Sequence, residues 1–205
     1  MFLSPKKSLE NALQDSLYVN LSDLSNVVVD LRYGTTNNIL KRAVYDGFNQ
    51  ALLHKDAAQK FITATELLKK QKPDLKFIIF DALRPRLAQW DFWRLVENTP
   101  QQCYFADPKI GSLHNYGFAI DLGLLDKCGQ ELDMGTGFDN LSDLAQPKCE
   151  EKFLLENKLS EVQVFNRKIL RNIMQKAGFE QLPHEWWHYD ALSGDLVRQR
   201  YPILE

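Results

Sequence analysis

The chain has 205 residues, 44% hydrophobic and 25% charged, with 25 Lys plus Arg against 27 Asp plus Glu for a formal net charge of −2. A chain of that size can bury one full-sized core or at most two small ones, which excludes a disordered or fibrous protein, and its balanced charge implies no polyanion partner such as nucleic acid. Its purest apolar run, Phe77-Ile78-Ile79-Phe80, falls far short of the ~20 residues of a membrane helix, so no membrane partner is expected.

Met1 to Lys7 lacks a basic start followed by an apolar stretch, so no secretory leader and a bacterial cytoplasmic location are expected, with the periplasm as the alternative. No period of 20 to 50 residues recurs, and one domain over residues 1–205 is the expectation. A short helix is expected to start within Ser8 to Gln14. Tyr18 to Leu21 and Val27 to Leu31, rich in β-branched residues, read as extended chain broken by Gly34. From about Gln50 to Lys70 apolar residues recur at Ala57, Phe61, Thr65 and Leu68, which predicts an amphipathic helix stopped before Pro73.

Leu75 to Phe80 reads as a buried strand. A helix follows with Pro85 at its first position and Leu87, Trp90, Phe92, Trp93 and Val96 as its apolar residues, closing near Asn98. Phe118 to Leu122 alternates, so Asp121 projects from a strand whose opposite face is apolar. Val162, Phe165, Ile169, Ile173 and Ala177 mark a helix ended by Gly178, and Glu185 to Tyr189 reads as a short final strand. Without strict alternation of strand and helix, the fold class expected is α+β. Cys103, Cys128 and Cys149 are odd in number with no C-x-x-C pair. They read as reduced residues, with one bridge plus a free thiol as the alternative.

Polar residues interrupt this core at three places: Arg84, Ser112 to His114 with Asp121, and His184 to His188. Two imidazoles and a carboxylate are what a catalytic zinc ion takes as protein ligands, with a position left for water. His114 and Asp121 lie seven residues apart across Gly117, and His188 brings a third donor from a distant element. Glu185 stands three residues before His188, a separation suited to a base held beside such a centre. In a regular strand the two would face opposite ways, so a bulge, a strand end or one helical turn must bring them together. Taken singly, a histidine among aromatic residues is more often core packing; the combined pattern Ser-x-His-x-x-Gly-x-Ala-x-Asp with Glu-x-Trp-His reverses that. His184 reads as surface or a neighbour of the site, and His54 as structural.

Ser112 to Asp121 together with Glu185-Trp186-Trp187-His188-Tyr189 resembles the D-alanyl-D-alanine dipeptidases, the VanX-like branch of the zinc DD-peptidases. The likeness extends in order through Leu31 to Asn38, Asp81 to Arg86, Asp133 to Asp139 and Phe165 to Phe179. It implies a central, mostly antiparallel sheet flanked by helices, and one zinc ion held by His114, Asp121 and His188. It further implies Glu185 as the base, Arg84 facing the carbonyl oxygen, Asp139 and Tyr33 receiving the amino group of a small dipeptide, and Ser112 holding substrate near the metal. Leu113 and Gly123 depart from the common pattern, and the segment from Arg84 to His114 is short. The alternatives are a zinc carboxypeptidase acting on longer peptidoglycan stem peptides and a metal-binding module without catalysis; intact Glu185 and Arg84 argue against the second.

Overall fold

The computed structural model describes residues 4–205. Met1 to Leu3, on which the leader reading partly rests, and the side chain of Cys103 lie outside the described residues; Cys128 and Cys149 are free thiols. Helix α1 (Pro5–Ala12) starts earlier than expected because the Ser4 hydroxyl accepts the Lys7 N–H and Pro5 supplies the first position. Strands β1 (Tyr18–Asn20) and β2 (Val27–Val29) fall in the two extended stretches.

Strand β3 (Leu52–His54) runs directly into α2 (Lys55–Gln71). The helix predicted from Gln50 therefore begins later, because Leu52 to His54 pair antiparallel with β1. The His54 ring accepts the Asp56 N–H at 3.3 Å and caps α2, so its role is structural, at a strand end rather than in a helix. Ala57, Phe61, Thr65 and Leu68 are all buried, as their spacing predicts.

Strand β4 (Lys76–Asp81) is buried from Phe77 onward, and Pro85 caps α3 (Arg86–Val96) rather than opening it. Helix α3 buries Ala88, Gln89, Phe92 and Val96, leaving Leu87, Trp90 and Trp93 half-buried. Every residue of β5 (Ala119–Leu125) is buried. Next come α4 (Glu150–Leu155) and α5 (Glu161–Lys176), which ends before Gly178 at φ +90°. The stripe predicted on α5 holds at Ile169, Ile173 and Ala177, which pack on the core, but fails in the first turns, where Val162 and Phe165 are 64% and 56% exposed and Val164 and Arg167 face inward instead. Buried Arg167 donates to the carbonyls of Met134 at 2.7 Å and Leu144 at 3.0 Å. The chain closes with β6 (Glu180–Gln181), β7 (His188–Asp190) and α6 (Gly194–Arg200).

The main sheet has the order β2-β4-β5-β7-β6, parallel between β2 and β4 and antiparallel elsewhere, while β1 and β3 form a separate pair. This is the α+β arrangement with a mostly antiparallel centre that the resemblance implied. One apolar core runs from Leu9 to Val197. Ile79 lies opposite Leu122 and Asp81 opposite Asp121, so β4 carries a bulge at Phe80; Asp121 in turn pairs with His188. Directly paired residues share a face, which lines up Asp81, Asp121 and His188 across three neighbouring strands.

Candidate functional site

His114 stands in a tight turn, Leu113–Tyr116, fixed at both ends. The Ser112 hydroxyl accepts the His114 N–H at 3.4 Å, and the Asn115 side chain accepts the Ser112 N–H at 2.8 Å. Gly117 hands the chain to β5 at φ +73°, where a Cβ would lie 2.7 Å from the His54 nitrogen; only glycine fits.

His114, Asp121 and His188 are buried, and one ligand atom from each lies within 4.8 Å of the others. His114 Nδ1 is 2.7 Å from the carbonyl oxygen of Ala82. A carbonyl can only accept, so that nitrogen carries a hydrogen and Nε2 is the one turned inward. His188 Nε2 lies 2.9 Å from the Asp190 carboxylate, which turns Nδ1 inward. The two inward nitrogens are 3.2 Å apart, with Asp121 Oδ1 3.0 Å from His188 Nδ1 and Oδ2 3.3 Å from His114 Nε2.

Three atoms able to bind a metal ion thus converge on one point. Burial works against charge on His188, yet Asp190 and Asp121 raise its proton affinity well above the ordinary value, so the place attracts positive charge. Burial likewise opposes ionisation of Asp121, but His114 and His188 hold its carboxyl well below the usual range. Metal binding takes the neutral form of an imidazole, and these two rings, each oriented through its second nitrogen, could with the ionised Asp121 carboxylate hold a metal ion; the set fits zinc.

Arg84 and Asp81 form the neighbouring floor. Asp81, fully buried, accepts the Tyr45 hydroxyl at 2.8 Å on Oδ1 and Arg84 Nε at 2.7 Å on Oδ2. Arg84 Nη1 donates to Gln89 at 3.0 Å, and Nη2 sits 2.7 Å from Asp81 and 3.6 Å from Asp121. The guanidinium lies over the Phe92 and Tyr33 rings. Burial opposes its charge, but Asp81 foremost keeps its pKa above the ordinary value.

Glu185 does not lie in a strand. The expected strand starts only at His188, and the bend before it brings Glu185 Oε2 to 3.8 Å from His188 Nδ1. Of the routes considered for joining this pair, the strand end is the one used. Burial lifts the Glu185 carboxyl to about 7, with the charges of Asp121 and Asp139 adding to it against His188. Asp139, at φ +62°, accepts the Tyr33 hydroxyl at 2.8 Å and the Ile39 N–H at 3.0 Å, and burial raises it to about 6. His184 lines the same cavity but its ring meets Lys148 at 3.0 Å, away from the three donors.

One cavity of about 390 Å³ is lined by Tyr33, Arg84, Ser112, His114, Asp121, Asp139, Glu185 and His188. All the residues singled out in the sequence thus reach a single space. Sequence reasoning passed over Asp81, Gln89, Asp190 and Arg198. Asp190 had a legible signal, since two residues along a strand from His188 places it on the same face.

The profile of a peptidase family described as D-ala-D-ala dipeptidase matches residues 18–204. The chain is similar to the D-alanyl-D-alanine dipeptidase of Escherichia coli (strain K12), at 34% identity over 86% of this chain and 82% of that protein. It is also similar to the D-alanyl-D-alanine dipeptidases of Synechocystis, at 30% identity over 78% of each chain, and of Enterococcus faecium, at 30% over 78% of this chain and 83% of the relative.

Proposed function

Because this chain belongs to the D-ala-D-ala dipeptidase family of peptidases, we propose that it hydrolyses free D-alanyl-D-alanine or a closely related dipeptide, with zinc held by His114, Asp121 and His188. The observation that carries the reading is the convergence of three potential metal-ligand atoms in one cavity with Glu185 and Asp139. Zinc held there would supply Lewis acidity, polarising the scissile carbonyl and easing loss of a proton from water.

Glu185 takes the proton of the attacking water and returns it to the leaving amine. A carboxyl lifted to about 7 suits both halves of that task near neutral pH. Arg84 has spent its Nε and part of each terminal nitrogen on Asp81 and Gln89, which leaves one N–H on Nη1 and one on Nη2 for the oxyanion. Removing such a donor costs ~10²–10³ in rate.

Asp139 and the Tyr33 hydroxyl receive the free ammonium group of the substrate. An N-acylated substrate has a neutral amide at that place and leaves a largely buried carboxylate without its cation, which restricts the site to dipeptides. Ser112 forms the wall beside His114 and steadies the substrate there.

The test is release of alanine by purified protein from D-Ala-D-Ala, L-Ala-D-Ala, L-Ala-L-Ala and N-acetyl-D-Ala-D-Ala, with and without a chelator. Chelator-sensitive hydrolysis of the free D,D-dipeptide, with the acetylated one spared, is expected. No release ends the dipeptidase reading, and equal cleavage of the acetylated substrate turns it into a carboxypeptidase.

A further inference from the structure

A dipeptide is charged at both ends, and the reading above, on which this inference rests, accounts only for the ammonium. A cation on the cavity wall would answer the carboxylate directly. Apart from the histidines, the wall holds two cations, Arg84 and Arg198. Arg84 is paired with Asp81 and Gln89, and its two remaining N–H groups are assigned above to the oxyanion.

Arg198, in the last turn of α6, is different. Its Nη2 donates to the backbone carbonyl of Gly111 at 3.4 Å, next to Ser112, and among the described residues no carboxylate lies within 4 Å of it. A planar guanidinium offers five N–H donors, and one long bond to a neutral carbonyl leaves most of them free. Gly194, one turn earlier and also on the wall, makes room for it: a Cβ there would collide with Nη1 and stand 3.3 Å from Cζ. Arg198 thus reaches the cavity wall from an exposed position, with space beside Gly194 for its guanidinium and no carboxylate partner among the described residues.

We propose that Arg198 is a specificity-determining residue that pairs with the free C-terminal carboxylate of the substrate, so that the cavity measures a dipeptide from both ends. Asp139 reads the amino end and Arg198 the carboxyl end. The ligand chemistry this assigns to the subsite is a terminal α-carboxylate, and a substrate with a neutral C-terminal amide forfeits the pairing.

The experiment compares kcat and KM for D-alanyl-D-alanine and its C-terminal amide in the zinc-loaded wild type, Arg198→Ala, Arg198→Lys and Gly194→Ala, with zinc content measured in each. The wild type should favour the free acid. In Arg198→Ala, KM for the acid should rise about 10- to 100-fold, with KM for the amide and the zinc content unchanged. Arg198→Lys should keep part of the preference. Gly194→Ala, which displaces the guanidinium without removing it, should fall between wild type and Arg198→Ala. An acid-to-amide ratio that is the same in wild type, Arg198→Ala and Gly194→Ala overturns the carboxylate subsite, and so does a wild type that cleaves acid and amide equally. A zinc-loaded wild type that cleaves neither brings down the dipeptidase reading itself, and this inference with it.

Discussion

The floor and the rim of the cavity are built to opposite rules. On the floor, Asp81 is held by Tyr45 and Arg84, Arg84 by Asp81 and Gln89, and each histidine ring by an acceptor at its outer nitrogen. On the rim, Asp139 has a phenol and a backbone N–H, Arg198 has a carbonyl, and Glu185 meets only the edge of His188 at 3.8 Å. Folding has already satisfied the floor, whereas the rim is left short of counter-charges that a ligand can bring. Changes on the floor should therefore cost fold or metal, and changes on the rim should cost binding or rate.

The sharpest way to break this contrast is Asp81→Ala, which strands a buried guanidinium. Loss of about 3–5 kcal/mol of stability is expected, a large part of a typical total, read from the denaturation midpoint. A midpoint near that of the wild type would mean that Arg84 is not held as described. Next in size, His114→Ala should lose both bound zinc and turnover, whereas Glu185→Gln should keep its zinc and lose about 10²–10⁴ in kcat. Turnover by a zinc-loaded Glu185→Gln protein would remove the assigned base.

A smaller effect is expected at Asp190, which lies between floor and rim and orients His188 through 2.9 Å. Asp190→Asn keeps the shape but weakens the acceptor, so zinc affinity in a chelator competition should fall about 10- to 100-fold. The mildest test is pH. Burial raises Asp139 to about 6, so its ammonium-binding charge is present above that value and lost below it. KM for the dipeptide should climb as pH drops through 6, and Asp139→Asn should flatten that limb; an unchanged profile would detach Asp139 from the amine.

Much of the floor could be read in the chain because its parts are local. The turn through Gly117 joins His114 to Asp121 within seven residues, and apolar strands betray themselves by composition. Asp81 was not legible as a site residue, since its significance depends on strand register and on a bulge that no periodicity announces, whereas Asp190 was marked by its two-residue spacing from His188. Helix α5 shows the converse error. Counting apolar residues finds Ile169, Ile173 and Ala177 correctly but also selects the exposed Val162 and Phe165, and it passes over Arg167, which is buried because two backbone carbonyls accept its N–H groups. Strand β3, three residues long, is too short for any pattern to separate it from the helix it feeds.

The row of Asp81, Asp121 and His188 across β4, β5 and β7 also bears on when the proposed metal site would form during folding. An unfolded chain holds His114 and Asp121 close in sequence, but His188 joins them only when β7 has zipped onto β5, a long-range pairing formed against loop entropy. A complete binding site thus belongs to late structure. Zinc bound there should leave the folding rate almost unchanged and slow unfolding instead, making the ion a kinetic lock on a protein that assembles without it.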